Sequence, residues 1–311
     1  MLINHRYVLI SPCRDEANFM RNTLDSVVGQ SVRPAKWIIV DDGSTDATPL
    51  ILAEYQNKYD WIEVLVRKDR GKRSVGPGVI DAFYAGYDLV KEMDYPFLCK
   101  LDLDLRLPPR YFEILIQKMV ASPSIATCSG KAYIEENGLL VNERHGDDTS
   151  LGMTKFYRTS CFKAIGGFVR EVMWDGIDCH RCRMNGWIAC SWDEPELRFV
   201  HLRSMGSSHV NIYTGRMRHG FGQYFMGTSF IFMIASAVFR LNQKPYVIGS
   251  AALLWGYVKS ALQRKPRYQD PKFREFLRHY QWQVLLRGKS RALDKIRSTA
   301  ASAADAAIEI P

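Results

Sequence analysis

Two aspartates at the end of an apolar run have the spacing that best indicates chemistry in this 311-residue chain. Residues 96–101 have the composition of a buried strand, and Asp102 and Asp104 follow them directly. Because side chains alternate along an extended backbone, the two carboxylates face the same side. Carboxylate oxygens suit Mg²⁺ or Mn²⁺, and either ion can bridge the phosphates of a nucleotide. The alternative is a polar turn in which both acids are simply solvated.

A second acidic turn follows an earlier predicted strand, Lys36–Val40. Asp41 can accept hydrogen bonds from a nucleotide base or ribose, or it can cap the next helix together with Asp42. A third predicted strand leads into the basic, glycine-rich residues 67–78. Their arginines, with nearby backbone N–H groups, could hold a diphosphate, or the loop could be merely solvated. The two candidate arginines are Arg70 and Arg73.

The elements that must position these side chains alternate between strand and helix from Tyr7 to Asp104. Such alternation predicts right-handed crossovers and therefore an α/β fold with a mostly parallel sheet flanked by helices. The carboxyl ends of parallel strands meet at one edge, where open sheets bind ligands. We therefore expect both acidic turns and the basic loop to converge there. The chain contains neither a Walker A string nor G-x-G-x-x-G after the first strand, which argues against P-loop and nicotinamide enzymes.

Composition narrows the function classes further. The chain is 47% hydrophobic and carries a net charge of +9, which favours anionic lipid or phosphate-rich partners. No helix-turn-helix, zinc-finger or RNP string occurs, so we expect no nucleic-acid partner. Seven scattered cysteines predict reduced thiols, and the N-terminus lacks a signal-peptide apolar region. A cytoplasmic protein is expected.

Two motifs resemble a known family. The stretch from Val8 to Asp46, with Arg14-Asp15-Glu16 and the string V-D-D-G-S-T-D, resembles the start of an inverting family 2 glycosyltransferase with a GT-A fold, the nucleotide-diphospho-sugar transferase fold. Asp102-Leu103-Asp104 matches the D-x-D motif of that family. The resemblance implies a nucleotide-diphosphate sugar donor, with UDP favoured, and Mn²⁺ or Mg²⁺ as cofactor. The implied donor-binding residues are Pro12, Arg14, Glu16, Asp41, Asp42, Arg70, Arg73 and Asp102, and the implied metal ligands are Asp104, Asp102 and, as a further candidate, His201.

The resemblance also implies a catalytic base. Residues 173–187 resemble the segment of the family that carries this acid and ends in G-W. Counting back from Gly186-Trp187 places Asp175 at the base position, with Asp178 as the reserve. Asp175 could instead only cap a helix N-terminus. Upstream, the polar residues 135–150 predict a loop.

The last third of the chain is apolar and basic. Residues 221–239 carry no charged side chain, 245–258 form a second apolar run, and basic residues flank both. We expect two interfacial helices that dock on anionic membrane, or alternatively a helical hairpin packed on the catalytic domain or on a second subunit. The predicted domains are a GT-A catalytic domain at 1–215, a C-terminal helical, membrane-associated region at 216–290 and a flexible tail at 291–311.

Together these features predict an inverting, metal-dependent, hexosyltransferase-like enzyme. It would move a sugar to a hydroxyl of a saccharide or lipid-linked acceptor during cell-surface polysaccharide synthesis, in the cytoplasm at the inner face of the plasma membrane. Asp175 would take the acceptor proton while the metal site neutralises the leaving diphosphate. Three alternatives remain: a polyprenyl-phosphate sugar transferase, a nucleotidyltransferase on a similar fold, and a non-catalytic sugar-nucleotide-binding protein.

Overall fold

The computed structural model describes residues 5–71, 76–203, 212–241, 246–296 and 298. The chain separates into two compact units. The first comprises Met1–Glu171 and Ile188–Ser204, and the second comprises Val172–Trp187 and Met205–Pro311. The segment that carries Asp175 thus groups with the C-terminal helices. The predicted domain boundaries stay a prediction.

The first unit is α/β. Its elements, in chain order, are β1 (Tyr7–Cys13), α1 (Met20–Val28), β2 (Lys36–Asp41), α2 (Thr48–Lys58), β3 (Ile62–Val66), α3 (Pro77–Asp88), β4 (Phe97–Leu101), β5 (Leu105–Arg106), α4 (Tyr111–Ala121), β6 (Ile125–Ser129), β7 (Lys131–Glu136), β8 (Leu139–Asn142), β9 (Thr154–Arg158) and α5 (Thr159–Ala164). After the excursion into the second unit follow β10 (Ile188–Ser191), a 3₁₀ turn (Pro195–Leu197) and β11 (Arg198–His201).

The larger sheet of the first unit is mostly parallel, as predicted. Within the described residues its strand order is β10-β6-β9-β4-β1-β2-β3. The pairs β1–β2, β2–β3, β1–β4 and β6–β10 are parallel, and β9 runs antiparallel between β4 and β6. The strands β1, β2 and β4 are apolar and almost fully buried, as expected for strands that are covered on both faces. For example, α4 buries Phe112, Leu115, Ile116 and Met119 in the core, each contributing about 1.5–3 kcal/mol.

A smaller sheet extends this unit beside the D-x-D segment. Its strand order among the described residues is β5-β11-β7-β8. Because β5 begins directly after Asp104 and pairs His201 with Leu105, the end of β11 lies beside the aspartate. The predicted loop at 135–150 was partly wrong, since its first residues complete a β7–β8 hairpin around Gly138, whose φ is +77°. The two-residue turn Asn137-Gly138, in which both residues have positive φ, produces this hairpin, so the signal lies in the turn and not in the polarity of the segment.

The second unit is helical. Its core is a close crossing of two helices, α7 (Ile212–Met226) and α9 (Tyr246–Leu262). A Cβ added at Gly220 would lie 2.0 Å from the Leu253 carbonyl oxygen, and one at Gly256 would lie 2.1 Å from that of Met217. No helix in the described part of the chain combines the length and apolar character needed to cross a bilayer. The helices are α6 (Trp174–Met184), α7 (Ile212–Met226), α8 (Phe230–Phe239), α9 (Tyr246–Leu262) and α10 (Pro271–Arg287).

The close crossing of α7 and α9 predicts that a side chain added at Gly256 destabilises the second unit. Gly256→Ala places a methyl group against the backbone of α7, and we expect the free energy of unfolding to fall by about 1–3 kcal/mol. Thermal unfolding followed by circular dichroism measures the change. Ala251→Ser on the exposed side of α9 is the matched control and should leave the midpoint within about 1 °C. Equal midpoints for Gly256→Ala and the control would contradict the close crossing.

Candidate active site

Two loops at the carboxyl ends of β1 and β2 are tied together by hydrogen bonds. The Asp15 backbone N–H donates to Ser44 Oγ at 2.9 Å, and the Thr45 N–H donates to Asp15 Oδ1 at 2.8 Å. The Glu16 N–H donates to Thr48 Oγ1 at 2.9 Å. The two motifs that carry the resemblance therefore form one continuous structure.

Asp41 and Asp42 have different partners at this edge. Asp41 Oδ1 accepts from the Ser44 N–H at 2.9 Å, so this carboxylate closes the turn after β2. Asp42 Oδ1 accepts from Arg67 Nη1 at 2.9 Å, and Asp42 Oδ2 accepts from Arg70 Nη2. Diphosphate binding by Arg70 stays a prediction, and Arg73 lies outside the described residues.

The loop after β3 packs against the turn after β2. Gly43 has a φ of +78°, and a Cβ there would lie 2.4 Å from the Asp69 Cα, so no larger residue fits. Arg14 bridges the two segments, donating to Asp69 Oδ1 at 2.6 Å and to the Asp42 carbonyl at 2.8 Å. Pro12 is buried in β1, in register with Val40. The candidate donor-binding residues after β1, β2 and β3 thus lie in one layer of loops.

Arg203 joins the first of these loops to the D-x-D segment. Its Nη2 donates to Glu16 Oε1 at 2.9 Å and to Asp104 Oδ2 at 2.7 Å, and its Nε donates to the same Asp104 oxygen at 3.1 Å. Both carboxylates are buried, so a cation between them offsets the cost of removing two like charges from water.

His201 lies on the other side of Asp104. Its Nε2 is 3.6 Å from Asp104 Oδ2, and its Nδ1 is 2.9 Å from Glu143 Oε2. Burial lowers the pKa of His201, but the two carboxylates outweigh it and raise that pKa to about 9. Burial likewise opposes ionisation of Asp104, yet His201 and Arg203 bring its pKa down to about 2. Both groups are therefore charged at neutral pH.

Asp102 has its own cation. The buried Lys100 donates through Nζ to Asp102 Oδ1 and to the Gly152 carbonyl at 3.0 Å. Burial raises the pKa of Asp102, Lys100 opposes this, and the nearby Asp104 charge adds to it. The side chain of Asp102 is one-third exposed, so it keeps access to solvent at this edge.

The side chains around Asp104 fit a divalent cation by type. Asp104 Oδ1 is buried and has no hydrogen-bond partner among the described residues, which leaves one carboxylate oxygen available as a ligand. Asp102 supplies a further hard oxygen, and His201 supplies an imidazole that suits Mn²⁺ once the metal has displaced its Nε2 proton. No group of three or more His, Cys, Asp or Glu side chains in the described residues already has the arrangement of a metal site.

Asp175 belongs to the second unit and lies in the first turn of α6. Met173, which precedes the helix with a φ of +63°, packs against Gly222 of α7, where a Cβ would lie 2.2 Å from its Cγ. The reserve candidate Asp178 is buried, and its Oδ1 accepts from the Cys179 N–H at 2.6 Å. Asp175 is only half-buried and is the more accessible carboxylate, but its role as base stays a prediction.

With this geometry established, comparison with known proteins gives the family. The model described as "Glycosyl transferase family 2" matches residues 8–175, more than half of the chain. The chain belongs to glycosyl transferase family 2. The predicted family and the prediction of a glycosyltransferase are confirmed.

Two curated relatives of this family 2 glycosyltransferase are bacterial. Glycosyltransferase GlyA of Streptococcus pneumoniae serotype 4 is 24% identical over 151 residues, which are 47% of this chain and 20% of the relative. Poly-beta-1,6-N-acetyl-D-glucosamine synthase of Staphylococcus epidermidis is 24% identical over 131 residues, 42% of this chain and 29% of the relative. The chain thus spans less than a third of the length of either protein.

A solved structure supports the fold of the family 2 glycosyltransferase. The crystal structure of GalNAc-T7 with UDP, GalNAc and Mn²⁺ has a TM-score of 0.55 at 12% identity, covering 87% of this chain and 60% of that one. At this identity the likeness shows the fold alone, and the predicted GT-A fold is confirmed.

Several residues with a place in this site were not predicted. Lys100 is hidden inside an apolar strand, and Glu143 lies in a stretch that local polarity assigns to a loop. Arg203 joins Glu16 to Asp104, and no local string indicates a pairing between residues so far apart in the chain. Arg67, at the start of the basic loop, could have been predicted from the sequence, because it directly follows β3 at the acidic edge.

The contacts of Arg203 predict a large effect on stability. Arg203→Met leaves two buried carboxylates without their shared cation, and we expect the free energy of unfolding to fall by about 3–5 kcal/mol. Chemical denaturation followed by fluorescence measures it. The matched control is Arg198→Met, which breaks a more exposed ion pair with Asp193 and should cost about 1 kcal/mol or less. Equal losses in both variants would refute the bridging role.

Proposed function

We propose that this family 2 glycosyltransferase moves a sugar from a nucleotide-diphosphate donor to a hydroxyl acceptor, with inversion and with Mn²⁺ or Mg²⁺. The observation that carries the proposal is the buried Asp104, held ionised by His201 and Arg203 with one oxygen available, at the edge where α/β sheets bind nucleotides. A solvated polar turn would not require two cations around one buried carboxylate.

We assign donor binding to the loops after β1, β2 and β3, and we favour UDP as carrier. UDP and Mn²⁺ are bound in GalNAc-T7, which has the same fold. Asp104, Asp102 and, after loss of its Nε2 proton, His201 would hold the cation, which when bound supplies charge neutralisation for the leaving diphosphate. Arg203 and Lys100 orient the two aspartates through ion pairs, so the ligand atoms need not be reorganised when the donor arrives.

We assign proton transfer to Asp175. Asp175 lies in the first turn of α6 and is half-buried, so an acceptor hydroxyl could reach its carboxylate, whereas Asp178 is buried. A single displacement at the anomeric carbon inverts its configuration and needs no enzyme nucleophile. The acceptor class we propose is a saccharide or lipid-linked acceptor in cell-surface polysaccharide synthesis, and the staphylococcal relative is named as the synthase of a polysaccharide. We propose that the reaction takes place in the cytoplasm at the inner face of the plasma membrane.

The metal assignment predicts a coupled ligand effect. UDP should raise the thermal midpoint of the wild type by about 5 °C at saturating concentration, and only when Mn²⁺ is present. Asp104→Asn should abolish the Mn²⁺-dependent part, because a neutral amide is a poorer ligand for a hard cation. Asp193→Asn, which alters an acid paired with Arg198, is the matched control and should respond like the wild type. Full Mn²⁺ dependence in Asp104→Asn would overturn the assignment.

The base assignment predicts a loss of turnover. Asp175→Asn should lower kcat by about 10²–10⁴-fold with little change in the KM of the donor, measured as UDP release with a panel of UDP-sugars and oligosaccharide acceptors. Proton NMR of the first product should show the inverted anomer. Near-normal turnover in this variant would favour a phosphate acceptor, as in a polyprenyl-phosphate sugar transferase. Release of pyrophosphate from a nucleoside triphosphate would identify a nucleotidyltransferase.

A further inference from the structure

Positive charge is concentrated in the second unit. Residues 212–296 contain 15 Lys and Arg but only three Asp and Glu, a net charge of +12. Residues 1–211 contain 26 basic and 28 acidic residues, a net charge of −2. The basic character of the chain therefore comes from its C-terminal helices, which attract an anionic partner. Donor binding, assigned above to the first unit, does not explain this charge.

The helix α8 is apolar on two sides. Met233 and Ala237 are buried against the unit, as expected for a packed helix. On the other side Ile231 is 55% exposed, Ile234 is 41% exposed and Val238 is 59% exposed. At helical spacing these residues form one stripe, so the chain holds a continuous apolar surface in solvent.

An exposed stripe on the neighbouring helix α9 has the same character. Ile248 and Trp255 are more than half exposed and lie on one side of the helix at a spacing of seven residues. Lys259 continues this stripe, and Arg264 is exposed just beyond the end of α9. No ion pair involves these two cations within the described residues. We name the combined surface the α8–α9 apolar face: Phe230, Ile231, Ile234, Val238, Ile248 and Trp255.

We propose that the α8–α9 apolar face docks on the surface of an anionic lipid bilayer. The ten residues of α8 span about 15 Å, half of a hydrocarbon core, so the helix can lie in the interface but cannot cross it. Apolar side chains would enter the headgroup boundary while Lys259 and Arg264 meet lipid phosphates. A second copy of the chain fits less well, because it would bring two helical segments of charge +12 together.

Vesicle co-sedimentation of the full chain tests the proposal. The wild type should bind phosphatidylcholine vesicles that contain phosphatidylglycerol, bind pure phosphatidylcholine much more weakly, and be released by salt. Ile234→Asn with Val238→Asn should lower the partition coefficient by about tenfold or more. Leu139→Asn with Val141→Asn is the matched control, because it removes two exposed apolar side chains from β8 of the first unit, and it should bind like the wild type.

Two further measurements locate the contact. Brominated lipids should quench part of the tryptophan fluorescence, and Trp255→Phe should remove that part. Lys259→Gln with Arg264→Gln should weaken binding to phosphatidylglycerol vesicles by about thirtyfold, since each surface cation contributes about 1 kcal/mol, but should leave binding to pure phosphatidylcholine unchanged. Circular dichroism of each variant confirms that the helices are retained.

Two outcomes would overturn the membrane assignment: no binding of the wild type to phosphatidylglycerol vesicles, or binding of the Ile234/Val238 variant that equals that of the wild type. A dimer in light scattering that the same variant abolishes would assign the face to a second copy of the chain. Because vesicle binding is measured without donor or metal, its failure leaves the proposed sugar transfer intact, and a failed transfer assay leaves the lipid contact intact.

Discussion

The site depends on the sharing of one guanidinium by two buried carboxylates. Glu16 and Asp104 come from loops after different strands, and Arg203 donates to both within 3 Å. Without this cation, two negative charges would lie in a poorly solvated place at the sheet edge. Together with His201 and Lys100, the arginine offsets the negative charge of the acids that gather at this edge. A nucleotide diphosphate would add further negative charge there, and its cation would add positive charge. Charge balance, more than apolar packing, therefore holds the loops of this edge in place.

The two units handle charge in opposite ways. In the first, acids and bases nearly cancel in number and are paired closely around Asp42 and Asp104. Among residues 212–296 of the second, basic residues outnumber acidic ones five to one, and apolar side chains are left in solvent. Close ion pairs fit a site that must hold defined atoms in place. Net positive charge beside exposed apolar surface fits an extended partner, which is recognised by its negative charge and its apolar character rather than by its shape.

Sequence could predict the elements whose signal is local. The apolar runs of β1 to β4 and the periodic face of α4 coincide with the observed elements, because burial dictates residue type there. The D-x-D and V-D-D-G-S-T-D strings predicted where acids would gather, since the ends of parallel strands meet. Glu143, Lys100 and the bridging role of Arg203 could not be foreseen, because they arise from pairings between distant segments. The apolar stretch at 221–239 proved to be two helices, divided near Gly227, whose φ of +93° ends α7, and Ser229, which caps α8. Residue composition alone shows no such division.

The distance along the chain between Glu16 and Arg203 also bears on how the protein is made. These partners are 187 residues apart, and Asp104 is 99 residues from the same arginine. A ribosome therefore exposes the first four strands and both acids long before their shared cation emerges from the exit tunnel. Until then the nascent domain lacks the contact that neutralises its ligand edge, so we expect this edge to be the last part of the domain to become ordered during synthesis.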